Sequence, residues 1–252
     1  MSTWNVPPGF VERQFPKHTW WIKAEWEETI PTCLHSSQSA LCPLQSSSIG
    51  GRGSIYRVSV GEQGNIMVRR YQRGGAVRYF VRDVYWDRPP RPLMELISTE
   101  TAQQRGVPTV EVLGAGVEWV AGGLYRGVLI TREAKEFVNL WEWLQRRPAS
   151  EARRAMSRTV AKAVAQLHTA GIIHADLNLT NILVRTVPGT PEVLLIDFDR
   201  ARLFPGLPHL RHRKQNLRRL RRSLEKFDPN GLLTTPEDVE TFCQEYSCPA
   251  RP

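Results

Sequence analysis

The chain has 252 residues and a formal net charge of +9, from 34 Lys and Arg against 25 Asp and Glu. Its 41% hydrophobic and 23% charged residues are ordinary for a globular protein that buries a substantial core, which excludes a fibrous or wholly disordered chain. The surplus of cations favours an anionic partner: nucleic acid, an acidic membrane surface or a phosphorylated substrate.

The first 30 residues mix Trp4, Trp20, Trp21 and Trp26 with Glu, Lys and Pro instead of forming a signal-peptide apolar core. No run of about 18 apolar residues follows, so a cytoplasmic location is expected. From Thr29 to Ser48 the Ser-, Pro- and Cys-containing texture predicts irregular structure, and residues 1–48 are set apart as an N-terminal extension. Cys33, Cys42, Cys243 and Cys248 lack the close paired spacing of a zinc site and are expected to be free thiols.

A new texture begins at Gly50. Gly51-Arg52-Gly53 leads into alternating Ile55-Tyr56-Arg57-Val58, a turn at Gly61–Gly64, and Ile66-Met67-Val68, which predicts a glycine-rich loop and a hairpin. Apolar positions Leu93, Leu96 and Ile97 predict a helix from Pro92 to Arg105, closed by Gly106. Short strands are expected around Val110–Leu113 and Leu124–Ile130, and helices over Leu140–Leu144 and Glu151–Ala170, the second stopped at Gly171. Ile182–Val184 and Val193–Ile196 read as strands joined by a Pro188-Gly189 turn. Strands with one inserted helix, then a mainly helical half, give an α+β order. Joined with His174–Asn181 and Asp197-Phe198-Asp199, which resemble protein-kinase motifs, this order implies a two-lobed, protein-kinase-like fold: a small antiparallel β lobe over residues 49–130 and a larger helical lobe over 131–252.

The chemistry concentrates in two motifs. His174-Ala175-Asp176-Leu177-Asn178-Leu179-Thr180-Asn181 matches the kinase signature H-R-D-L-x-x-x-N except for Ala in place of Arg. Phosphoryl transfer needs a carboxylate for the attacking hydroxyl and oxygen ligands for a metal, so Asp176 is the candidate base and Asn181 a candidate Mg2+ ligand. Asp197, directly after an apolar strand, opens a D-F-G-like triplet with Asp199 in the glycine position, and is the second candidate ligand. For ATP phosphates the candidates are Gly51, Arg52 and Gly53, although Tyr56 stands where G-x-G-x-x-G has its third glycine. Arg69 is placed where kinases carry a strand lysine, with Glu95 or Glu100 of the following helix as its carboxylate partner.

These motifs, with Val68-Arg69-Arg70-Tyr71-Gln72-Arg73-Gly74-Gly75, Gly106-Val107-Pro108 and Asn216-Leu217-Arg218-Arg219-Leu220-Arg221-Arg222-Ser223-Leu224, resemble the lipopolysaccharide kinase family and its 3-deoxy-D-manno-octulosonic acid (Kdo) kinases over about Gly50 to Lys226. The resemblance implies ATP-dependent phosphorylation of a Kdo sugar, at its 4-hydroxyl, on a lipid A precursor at the cytoplasmic face of a Gram-negative inner membrane.

Between Arg211 and Lys226, Leu210, Leu217, Leu220 and Leu224 recur at helical spacing among six arginines and Lys214, predicting a basic amphipathic helix. Its leucines are expected to dock on the large lobe and its arginines to meet phosphates of an acidic inner-membrane surface, with Arg73 a further substrate contact. A small protein kinase or a heptose kinase of the lipopolysaccharide core would use the same Asp176, Asn181 and Asp197. A binding module without catalysis is disfavoured because all three positions are filled. No nucleic acid partner is expected, and the oligomeric state is left open.

Overall fold

The tryptophan-rich opening folds as sheet. The computed structural model describes residues 4–34, 47–48, 55–72, 83–187 and 190–247, and the chain divides into two compact units, Met1–Glu100 with Glu111–Glu133 and Thr101–Val110 with Ala134–Pro252. The first unit holds β1 (Phe10–Gln14), β2 (His18–Lys23), α1 (Thr29–Leu34), β3 (Ser47–Ser48), β4 (Ile55–Ser59), β5 (Asn65–Arg70), the start of α2 (Arg91–Gln104), β6 (Val112–Trp119) and β7 (Tyr125–Arg132). Its strands form one antiparallel sheet in the order β1-β2-β6-β7-β5-β4-β3.

Both faces of this sheet are covered. Trp20 and Ile22 pack with Trp26, Ile30, Val58, Ile66, Val68, Val128 and Ile130 on one side, while Trp21 joins Leu93, Leu96, Ala115, Val117 and Leu129 on the other. Successive residues of a strand point to opposite faces, so Trp20-Trp21-Ile22 is buried throughout and shows no polar alternation. The expected irregular stretch from Thr29 is corrected at its start, where α1 brings Ile30 into the core. The strands expected around Val110–Leu113 and Leu124–Ile130 extend to Trp119 and Arg132. Glycine is part of the reason. A Cβ at Gly116 would lie 2.3 Å from the Trp20 ring, so this strand crosses the indole only without a side chain.

The second unit continues with β8 (Val138–Asn139), α3 (Leu140–Gln145), α4 (Ser150–Thr169), β9 (Ile172–Ile173), β10 (Ile182–Val187), β11 (Thr190–Leu195), β12 (Arg202–Leu203), α5 (Leu210–Phe227) and α6 (Pro236–Ser247). Asn139 caps α3, its side chain accepting the Glu142 N–H at 2.9 Å. α4 ends before Gly171, whose φ of 78° is the left-handed stop that glycine supplies. β10 and β11 form an antiparallel hairpin flanked by β8, and β9 pairs with β12. The apolar faces of α4, β10 and β11 meet Leu177, Leu179 and Phe198 in one core.

The basic helix is present as α5, with Leu217, Leu220, Leu224 and Phe227 against that core. Leu210 departs from expectation. It is the first residue of α5, ahead of the stretch that reaches the core, and is 49% exposed. The side chain of Cys243 is a free, exposed thiol. No helix among the described residues is long and apolar enough to cross a membrane. Gly51, Arg52, Gly53, Arg73, Gly74, Gly75 and the Pro188-Gly189 turn lie outside the described residues.

Candidate functional site

Two sets of side chains carry the features expected from the motifs, one in each unit. In the first, Arg69 on β5 forms an ion pair with Glu95 of α2, and the Tyr71 hydroxyl donates to the same carboxylate oxygen. The Arg69 guanidinium lies 4.9 Å from the Tyr71 ring centroid. Of the two glutamates open to it, Glu95 is the partner, and it is only 1% exposed. A carboxylate at that depth is costly without a cation and a hydrogen-bond donor, so Arg69 and Tyr71 are what make it tolerable. Arg70, on the other face of the strand, pairs instead with Asp83 at 3.6 Å.

In the second unit the loop from His174 to Asn181 runs between β9 and β10. Leu177 and Leu179 are buried while Asp176 and Thr180 are exposed, so alternate side chains anchor the loop and present its polar groups. Asn178 closes it from within. Its Nδ2 donates to Asp176 Oδ2 at 2.9 Å, and its Oδ1 accepts the N–H groups of Thr180 and Asn181 at 2.8 and 3.1 Å. The Asn181 side chain donates from Nδ2 to the Asp176 carbonyl at 2.8 Å, which fixes its amide and identifies the other atom, Oδ1, as the oxygen with lone pairs.

His174 joins this loop to the end of β11. The Asp176 N–H donates to His174 Nδ1 at 3.1 Å, so the ring proton sits on Nε2 and donates to the Ile196 carbonyl at 2.9 Å. Asp197 follows immediately, with a φ of 67° that non-glycine residues rarely adopt and that aspartate tolerates better than most. Burial holds the His174 pKa below the ordinary imidazole range, against the Ile196 hydrogen bond and the charges of Asp197 and Asp176. Both carboxylates thus act on one neutral imidazole.

Beneath the loop, Asn216 of α5 accepts the His174 N–H at 3.2 Å and donates to the His174 carbonyl at 2.7 Å. Its Oδ1 also accepts from His168 Nε2 at 3.1 Å, and the Tyr246 hydroxyl donates to His168 Nδ1 at 2.7 Å. Burial pushes the His168 pKa down to about 4, so this ring is neutral as well. Ser223, two turns along α5, accepts the Leu179 N–H at 3.1 Å. The structure therefore brings Asp176, Asn181 and Asp197 into one connected framework and pairs Arg69 with Glu95. Sequence reasoning missed Tyr71, Asn178, Asn216 and Ser223 as supports. All four stand in motifs of the family resemblance, but nothing in their residue type or spacing marked them as supports of the assigned residues.

Comparison with known proteins places the chain in a family. The model of the lipopolysaccharide kinase (Kdo/WaaP) family matches residues 46–246. The chain is 31% identical over 203 residues to a 3-deoxy-D-manno-octulosonic acid kinase of Xylella fastidiosa (strain M23), across 79% of this chain and 77% of that protein. It is 29% identical over 209 residues to the enzyme of the same name from Mannheimia succiniciproducens, across 80% and 85%. A solved structure of WaaP in complex with acyl carrier protein is similar in fold, with a TM-score of 0.54 and 20% identity over 82% of this chain and 80% of that one. The chain therefore belongs to the lipopolysaccharide kinase (Kdo/WaaP) family and is a phosphotransferase with a protein-kinase-like fold.

Proposed function

We propose that the protein transfers the γ-phosphoryl group of ATP to the 4-hydroxyl of a Kdo residue on a lipid A precursor. The observation that carries this reading is the framework around His174, in which a hydrogen-bonded Asp176 is held beside Asn181 and close to Asp197. Asp176 accepts the proton of the attacking hydroxyl, whose oxygen bonds to the γ-phosphorus as the bond to the ADP oxygen breaks. Asn178 fixes the carboxylate for that task.

Asp197 and the Asn181 side-chain oxygen are the ligands that would hold Mg2+, and the set fits. One carboxylate and one amide are the sparse oxygen donors that this ion takes when substrate phosphates complete its shell. Bound there, the ion supplies charge neutralisation for the phosphate oxygens. Arg69, oriented by Glu95 and Tyr71, binds the α- and β-phosphates, and the sequence Gly51-Arg52-Gly53 supplies the further candidates for them.

The arginines of α5 attach the protein to an acidic leaflet, at the cytoplasmic face of the inner membrane, where its acceptor lies. Initial rates with ATP and Mg2+ on three acceptors test the reading: a Kdo-bearing lipid A precursor, a heptose-bearing core oligosaccharide and a generic protein substrate. Preference for the Kdo acceptor is expected, and faster phosphorylation of either alternative would replace it.

A further inference from the structure

Leu203, Leu207 and Leu210 are 39%, 59% and 49% exposed, although only a few residues separate them along the chain. They stand on β12, on the connection after it and at the first residue of α5. The segment that bears them is pinned. The Arg202 guanidinium lies 5.1 Å from the Phe204 ring centroid, and that ring lies 5.7 Å from the imidazole of His212 in α5. The Phe204 N–H donates to the Gly171 carbonyl at 2.7 Å, and Arg213 Nε donates to the Pro208 carbonyl at 3.1 Å. Single exposed leucines are ordinary, whereas three within one short anchored segment concentrate apolar surface on one stretch of chain.

The charge around the patch has one sign. From Arg200 to Leu224 the chain carries nine Arg or Lys and no Asp or Glu. Arg202, Arg211 and Lys214 are exposed beside the leucines. RNA would match these cations and leave the leucines in water. An apolar protein groove would take the leucines and bury the cations without counter-charge. A bilayer interface with anionic headgroups receives both, since apolar side chains enter the acyl boundary while cations stay at the phosphate level.

We infer that the segment from Arg202 to Lys214 inserts Leu203, Leu207 and Leu210 into the interfacial layer of an anionic bilayer. This rests on the reading that α5 attaches to an acidic leaflet, and adds an apolar component that salt does not screen.

Sedimentation of the full-length protein with vesicles tests it, using phosphatidylglycerol mixed with phosphatidylcholine and phosphatidylcholine alone as control. The wild type should bind the mixed vesicles at low salt and retain a fraction at high salt. The combined Leu203→Gln, Leu207→Gln and Leu210→Gln variant should lose about tenfold in partition at high salt while its unfolding midpoint stays close to that of the wild type, because all three side chains are substantially exposed in the folded protein. In a second variant, Leu207→Trp, the added emission should shift to the blue on mixed vesicles and be quenched by brominated acyl chains. Emission of that variant unchanged on vesicles that do sediment the wild type would overturn leucine insertion and leave attachment by the arginines standing. Failure of the wild type to sediment even at low salt would overturn both. RNA that displaces the mixed vesicles from wild type and triple variant equally would overturn the bilayer as occupant.

Discussion

The side chain of Asn216 holds both polar groups of the His174 backbone, accepting its N–H at 3.2 Å and donating to its carbonyl at 2.7 Å. Both residues are fully buried, so the replacement Asn216→Ala strands two backbone groups and His168 Nε2 without water to take them. A loss of about 2–4 kcal/mol in stability is expected, read as a lower denaturant midpoint. Asn216→Asp keeps the acceptor and loses the donor, and should lower kcat more than KM for ATP because the loop carrying Asp176 loses its register.

Asp176 is exposed and Asp197 half-buried, so neither carboxylate is a main support of the fold. Asp176→Ala and Asp197→Ala should each lower turnover by about two orders of magnitude or more, with a thermal unfolding midpoint close to that of the wild type. Asn178→Ala, which frees the Asp176 carboxylate to rotate, should lower kcat by less. Near-normal phosphorylation by either aspartate variant would refute their assignment.

Adjacent residues on β5 separate two roles. Arg69 meets Glu95 and Arg70 meets Asp83, on opposite faces of the strand. Arg69→Ala should raise KM for ATP by about tenfold or more, and Arg70→Ala should leave it within about twofold, since Arg70 takes part in a partly exposed ion pair. The reverse order in nucleotide titrations would place the phosphate contact on the wrong residue.

The loop from His174 to Asn181 was legible because its chemistry lies in the identity and order of polar residues, which a sequence displays directly. The Trp20-Trp21-Ile22 strand was not legible as sheet, because a strand covered on both faces loses the alternation that reveals strands. The choice between Glu95 and Glu100 stayed open for a related reason. Leu93, Glu95, Leu96, Ser98, Thr99 and Ala102 are all buried on α2, so no single apolar stripe singled out one glutamate. Leu210 shows the converse: its spacing matched Leu217, but periodicity does not say where along a helix the core begins.

The folded protein should lose stability as pH falls from neutrality to about 4. His168 has a pKa near 4 against an ordinary 6.5, the shift being caused by burial, and His174 is displaced in the same direction. Between those values the unfolded chain takes up a proton that the folded chain refuses. The contribution is fully present above pH 6.5 and is lost as pH falls through the window, on the order of 3 kcal/mol for His168. Unfolding midpoints recorded from pH 7.5 down to 4 should show this slope, and His168→Gln should flatten it while lowering the midpoint at neutral pH.

The most direct measurement locates the phosphoryl group on the product. Purified protein, ATP and Mg2+ are incubated with a Kdo-bearing lipid A precursor, and the product is fragmented in a mass spectrometer and its sugar assigned by phosphorus-coupled NMR. A single phosphoryl group on the Kdo 4-hydroxyl, formed by the wild type and not by Asp176→Ala, is the expected result. Phosphate on another sugar, on lipid A itself, or formed equally by Asp176→Ala would contradict it.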